Sequence, residues 1–411
     1  MTYFRDFHMT AFWAGLTAFV WYAFGALPLH LEVAGQLGLS SAEASSWIFI
    51  IWFSGAVTSI ALSLHYRLPI PITWTIPGLI YLGTLSGQFS FAEIVGANLM
   101  AGAVIVALGM IGVGERIIAW LPLPVVMGMF SGSIMVYVTR MVAASVEDAL
   151  VAGVTLAAYL AGRLVNDPRL PPMGLAVIVG GGAVFLFGEA AAGTIAWSLP
   201  ELVRPEVAFS LPALLGVGLP MVVLAMGLGN VQGLGFLLAQ DYKVPVTQVT
   251  VVVGLNSLVN ALFGGHAATV ARTGAAILAG PEAGPKEGRY WANIIAATLT
   301  ISIALGAGAL SSLLAVLPRS FVVTLAGLAI LSSLQSALVS AFANRLKFGA
   351  LAAFAVAATP FAVFGITSAF WSLLAGFAAS LVAERREILE FWRAAGVAYG
   401  QSRRSAPSSA A

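Results

Sequence analysis

Long apolar runs separated by short polar connections fill the chain from residue 10 to residue 384. Read against a helix-length window, the pattern predicts spans near 10–30, 45–64, 71–86, 91–112, 122–142, 147–165 and 172–190. A second set follows near 211–238, 245–263, 265–280, 290–315, 319–340, 346–365 and 367–384. Between the sets, Ala191 to Ser210 carries Trp197, Pro200 and Pro205 and reads as a surface connection or an interfacial helix. The tail from Glu384 begins as a short interfacial helix with Phe391 and Trp392 offered to the headgroups. It ends in a Ser/Ala/Arg segment with too little apolar surface to fold.

The third span of each set is unlike its neighbours. In the first set it holds Pro69, Pro71 and Pro77 within one short segment; in the second it is GGHAATVARTGAAILAGP, Gly264 to Pro281. Two interrupted segments at matching positions suggest a repeat, and an odd number of spans per half forces the second copy to be inverted. The fold expected is an all-α polytopic membrane protein of about 14 transmembrane segments, two inverted seven-span repeats with spans 3 and 10 discontinuous.

Composition agrees. Of 411 residues 60% are hydrophobic and only 9% charged, where a soluble domain carries about a quarter. Zero cysteines exclude disulfides and thiol catalysis, and the four histidines, at 8, 30, 65 and 266, form no spaced ligand pair, so no metal or cofactor is expected. With alternate connections taken as cytoplasmic, fifteen of the nineteen Lys and Arg fall on one side, Arg116 and Arg169 among them, while Arg140, Arg204 and Arg319 lie opposite. That asymmetry places both termini in the cytoplasm and explains the basic balance without nucleic acid. The amino terminus lacks a clear small-residue cleavage site and reads as a retained first span.

The nineteenth, Arg272, lies inside a predicted span. An arginine at a bilayer centre costs roughly 2.5 to 3.5 kcal/mol on insertion scales, so one that persists faces a protein interior or a watery cavity. Half-helices starting after Thr75 and Thr273 would aim free N–H groups and positive dipole ends at the midplane, with those threonines as N-caps. Two such ends and a guanidinium make an anion cradle that suits a carboxylate bidentately; plain capping is the alternative for the threonines. Trp74, with Tyr22 and Phe24, is a candidate aromatic wall or simple packing. Asn230 and Gln232, among glycines in span eight, are candidate ligands or interhelical hydrogen-bonding groups. His266 is the candidate proton carrier, or a residue at the outer mouth. Glu32, Glu93 and Glu189 lie near span ends, and none reads as a midplane acid.

Two blocks, Gly229 to Ala292 and PIPITWTIPG from Pro69 to Gly78, resemble the bacterial benzoate:proton symporter (BenE) family, which is similar in fold to nucleobase permeases and sulfate-type anion transporters. The resemblance implies a core domain of spans one to four and eight to eleven (1–113, 206–317) and a gate domain of spans five to seven and twelve to fourteen (114–205, 318–384), with 385–411 a cytoplasmic tail. It further implies substrate held between the half-helices, elevator-like movement, a bacterial inner membrane, and a homodimer through the gate domain. Nucleobase permeases carry acids where this chain has Asn230, Gln232 and Arg272, which favours an anionic substrate. The expected function is import of benzoate or a related aromatic carboxylate with protons. The rivals are an inorganic anion or nucleobase carrier on the same fold, a channel, and a membrane enzyme, for which no prenyl-diphosphate, HExxH or nucleophile–base motif is found.

Overall fold

The computed structural model describes residues 3–112, 120–165, 171–187, 198–343 and 345–394. Arg116, Arg169, Glu189 and the end of the tail lie outside them. Helices dominate. In chain order they are α1 (Met9–Gln36), α2 (Ser41–Tyr66), α3 (Ile76–Gly83), α4 (Phe91–Ile111), α5 (Leu123–Glu147), α6 (Val151–Val165), α7 (Pro172–Leu186) and α8 (Leu211–Ala239). Then come α9 (Val246–Leu262), α10 (Arg272–Ala279), α11 (Arg289–Leu305), α12 (Ala307–Val316), α13 (Arg319–Phe342), α14 (Lys347–Ala358) and α15 (Ser368–Ala383). Six of the described helices are long and apolar enough to cross a membrane, and α11 with α12 makes a seventh, bent by 60° at Gly306. Leu164, Leu186 and Val382 are 85%, 83% and 87% exposed, as side chains that face hydrocarbon are.

Local chemistry sets the ends. Ser40 and Ser90 open α2 and α4 with capping boxes closed by Glu43 and Glu93. This accounts for Glu93 as a cap. The α8 helix runs through π-helical turns at Leu214–Gly218 and Leu224–Asn230, on either side of Pro220, which lacks the N–H a regular turn would use. The span expected at 346–365 stops at Ala358 because Thr359 precedes Pro360, which pushes it out of the helical region. A two-stranded hairpin, β3 (Ala362–Val363) with β4 (Ile366–Thr367), follows, turning at Gly365 with φ 74°.

The discontinuities differ from two half-helices end to end. Each odd span is a short strand followed by a helix: β1 (Ile72–Trp74) feeds α3, and β2 (Ala268–Val270) feeds α10. The strands pair antiparallel, Ile72 opposite Val270, Thr73 opposite Thr269 and Trp74 opposite Ala268. Thr75 N–H to Ala267 C=O (3.0 Å) and Ala271 N–H to Pro71 C=O (2.8 Å) extend the ladder at both ends. Since the strands are antiparallel, α3 and α10 leave in opposite directions from opposite ends of a ladder about 10 Å long.

Around this ladder α1 and α2 pack on α11, and α4 on α9, while α5 packs on α13 and α14, α14 on α15, and α6 on α7. Residues 198–210 form an irregular strap and not the alternative of an interfacial helix. Ser46 Oγ exchanges hydrogen bonds with the Val203 backbone, and Ala208 N–H donates to Ala92 C=O at 3.0 Å. The tail is helical over 385–394, but its Trp392 indole donates to Trp120 C=O at 3.0 Å in place of a lipid headgroup.

Candidate functional site

A cavity of about 390 Å3 lies over the middle of the β1–β2 ladder, within the range of small-molecule sites. Its floor is the central strand pair, Thr73 and Thr269, and its ends are the first residues of both short helices, Ile76 and Pro77 on one side, Arg272 and Thr273 on the other. Trp21, Tyr22 and Trp74 supply aromatic surface from α1 and β1. Met127 and Phe130 of α5 and Ser332, Ser333 and Ser336 of α13 close the remaining wall. Those α13 serines and Gln232 sit on the halves of their helices that lead to Arg345 and Lys243, so the cavity lies toward the face rich in basic loops.

Of the two settings expected for a guanidinium inside a span, protein interior or watery cavity, Arg272 has the second: its side chain is exposed to this cavity. Its Nη1 donates to Gln232 Oε1 at 3.2 Å, while an ion pair forms elsewhere, between Arg345 and Glu390. No carboxylate of the described residues neutralises the guanidinium.

The two helix starts are unequal. Thr75 caps α3, accepting from Gly78 N–H at 3.3 Å, and is fully buried outside the cavity lining. Pro77 has no N–H, so this end offers few donors. The α10 helix begins two residues earlier than expected, at Arg272; its N-cap is Ala271, with no side-chain cap, and Thr273 is inside the first turn. The open N–H groups, the dipole end and the guanidinium thus coincide at α10.

Asn230 is a structural residue. It is 1% exposed, its Oδ1 accepts Val270 N–H at 3.1 Å and its Nδ2 donates to Thr250 Oγ1 at 3.3 Å, so it fastens the edge of β2. Phe24 points away from the cavity, toward Gly174 of α7. His266 neither lines the cavity nor opens to the outer mouth: it is fully buried and its Nδ1 accepts the Trp47 indole N–H at 3.1 Å. Nor are the histidines scattered, for the His30 ring lies 6.3 Å from that of His266.

Sequence reading missed Trp21, the paired threonines and the α13 serines. Thr73 and Thr269 each stand alternate to Trp74 and Val270 in a period of two, but a three-residue strand is too short for that alternation to register.

On the face opposite the basic loops, hydrogen bonds join α3 to the helices around it. The Tyr137 hydroxyl of α5 donates to Ile80 C=O at 2.9 Å and lies 3.1 Å from Gln36 Oε1, a second acceptor for the same proton. Tyr81 of α3 bonds Gly216 C=O and lies 3.2 Å from Thr367 Oγ1. Gln36 in turn donates to Glu32 Oε1 at 2.5 Å.

The sequence matches the protein-family model described as "Benzoate membrane transport protein" over residues 5–382. It is 30% identical to "Inner membrane protein YdcO" of Escherichia coli (strain K12) over 349 residues, 84% of this chain and 88% of that protein. It is 26% identical to the "Benzoate membrane transport protein" of Acinetobacter baylyi over 382 residues, 92% of this chain and 96% of that one. Among solved structures it is similar to the transmembrane domain of a cyanobacterium bicarbonate transporter, BicA, with TM-score 0.55, 18% identity, and coverage of 94% of this chain and 98% of that one. It is also similar to the murine Solute Carrier 26 family member A9 anion transporter in the inward-facing state, with TM-score 0.64, 13% identity, and coverage of 92% and 68%. At these identities the likeness is one of fold.

Proposed function

Because the chain belongs to the benzoate membrane transport protein family, we propose that it is a secondary active transporter importing benzoate or a related aromatic carboxylate together with protons. The observation that carries this reading is Arg272, a guanidinium unpaired with any acid of the described residues, at the uncapped start of α10 in a cavity walled by Trp21, Tyr22 and Trp74. The carboxylate accepts from the guanidinium fork and the first N–H groups of α10. The ring lies against the indoles. Benzoate is ionised at neutral pH, as carboxylic acids are, and its entry alone is opposed by a negative interior; entry with a proton is not.

In the same reading the chain has about 14 spans in two inverted repeats, and α1–α4 with α8–α12 move as a core against a gate of α5–α7 and α13–α15, elevator-fashion. The basic face is cytoplasmic in a bacterial inner membrane, both termini lie there, and the cavity is the inward-facing one. A homodimer forms through the gate.

The test is uptake of labelled benzoate into proteoliposomes with and without an imposed pH gradient, against protein-free liposomes that report permeation of the neutral acid. Saturable, protein-dependent uptake that Arg272→Ala removes supports the reading; near-normal uptake by that variant overturns it. The structural neighbours are a bicarbonate and an anion transporter, which favours as second reading an inorganic anion carrier. Sulfate or bicarbonate competing with benzoate as well as benzoate itself does would establish that alternative, as would uracil for a nucleobase carrier.

A further inference from the structure

Seven buried side-chain polar atoms lack a hydrogen-bond partner among the described residues, and five of them belong to Trp74 and the rings clustered about it. They are Tyr22 Oη, Trp52 Nε1, Trp74 Nε1, His30 Nε2 and His266 Nε2. Trp74 lies 4.3 Å from Trp52, 5.0 Å from His30 and 6.4 Å from Tyr22 between ring centroids. Buried polar groups are normally paired, by water where protein does not serve. A cavity of about 10 Å3 bordered by Tyr22, Trp52 and Trp74 holds room for one water.

The two histidines differ in what they leave free. His30 Nδ1 lies 2.8 Å from Ala26 C=O; a carbonyl only accepts, so Nδ1 carries the proton and Nε2 keeps a bare lone pair. His266 Nδ1 accepts the Trp47 N–H, so its own proton sits on Nε2. The Thr75 carbonyl is turned toward His266 but closes no hydrogen bond with that Nε2. One ring thus offers a free base and the other a free donor, 6.3 Å apart, behind the indole that walls the cavity.

We propose that His30 Nε2 binds the co-transported proton, with His266 as its positioning partner; this rests on the transport reading above. The proton adds to the Nε2 lone pair from one side of the membrane and leaves the same atom toward the other, with no other bond made or broken. The groups facing His30 are Trp47 and Trp52 of α2, Trp74 of β1 and His266 before β2. None carries an acid. Glu32, two residues along α1, bonds Gln36 and has Arg140 and Arg319 for charged neighbours. The charge across Trp74 is Arg272. A carboxylate that neutralises the guanidinium removes a like charge from the neighbourhood of an imidazolium at His30, and protonation becomes easier. Anion and proton therefore favour each other's binding, and by linkage the effect is mutual.

The test uses purified full-length protein and the variants His30→Asn and His266→Asn. Asparagine keeps the bond to Ala26 C=O or from Trp47 and cannot ionise in this range. Three things are measured: labelled benzoate exchange without a gradient, benzoate-induced proton entry reported by a trapped pH dye, and benzoate affinity between pH 6 and 8. Wild-type affinity should rise as pH falls, by about 5- to 150-fold in the usual range of coupling. His30→Asn should keep exchange, lose proton entry and bind independently of pH, and His266→Asn should weaken proton entry without removing exchange. Proton entry retained in His30→Asn, exchange lost along with it, or a wild-type affinity flat across this range each overturns the assignment. A wild type that exchanges no aromatic carboxylate overturns the transport reading, and the proton site with it.

Discussion

The Tyr137 hydroxyl on α5 donates to the Ile80 carbonyl inside α3 at 2.9 Å. It ties a helix of one packing group to the short helix that stands over the ladder, on the face away from the cavity. Gly83 makes room for the contact, since a Cβ there would strike the Tyr137 hydroxyl and Gln36. Removing the hydroxyl by Tyr137→Phe leaves the buried Ile80 carbonyl short of its donor, a loss of about 1–3 kcal/mol. The chain has no cysteine, so Ser133→Cys, in the cavity on that face, is a clean reporter. An impermeant maleimide should label it roughly fivefold faster or more in the Tyr137→Phe background; unchanged labelling would mean the bond does not hold this face closed.

Arg272 separates charge from shape. Arg272→Lys keeps the positive charge but loses the planar fork. Uptake by this variant should persist with KM raised roughly tenfold, whereas Arg272→Ala should fall to background. Kinetics of labelled benzoate uptake distinguish the two.

Gln232→Glu places a carboxylate where the amide oxygen now accepts from Arg272 at 3.2 Å. The resulting internal ion pair competes with an anionic guest, so affinity should drop by roughly tenfold or more while the folded yield is kept, and Gln232→Ala should do less. Charge-assisted bonds are about twice as strong as neutral ones, which sets this order. Direct binding measurements on the two variants check it.

Asn230→Ala should act on stability. It strips Val270 N–H of its acceptor at 3.1 Å and leaves a buried donor unsatisfied, about 1–3 kcal/mol. Thermal unfolding in detergent should show the loss, with the KM of the surviving protein little changed.

Gly274 lies against the Tyr22 hydroxyl, which a Cβ at that position would strike. Gly274→Ala should push Tyr22 into the cavity and weaken benzoate binding more than it weakens folding, read by comparing binding with the unfolding midpoint.

How much was legible follows from what enforces each feature. Hydrocarbon enforces the spans, so apolar runs located α1, α2, α4 and α13 to within several residues. Prolines and glycines marked the interrupted segments, but the strand halves are three residues each and owe their form to a partner nearly two hundred positions away in the chain, as Thr73 opposite Thr269 shows. Arg272 stood out because charge is scarce, yet its cavity, and hence its exposure, depends on α5 and α13. Asn230 and Gln232 looked alike two residues apart; one turns to β2 and the other to the cavity, a distinction only packing makes. His30 carried little signal, being one histidine at the end of a long apolar run.

The backbone bonds from Pro71 to Thr75 and from Ala267 to Ala271 join the two halves of the chain where both short helices begin. Neither helix start can be drawn apart without breaking that seam, so the span between them behaves as a fixed gauge. What a guest may measure across is consequently decided by the side chains standing on the seam, Thr73 and Thr269, and trimming those is the route by which a wider molecule would be admitted.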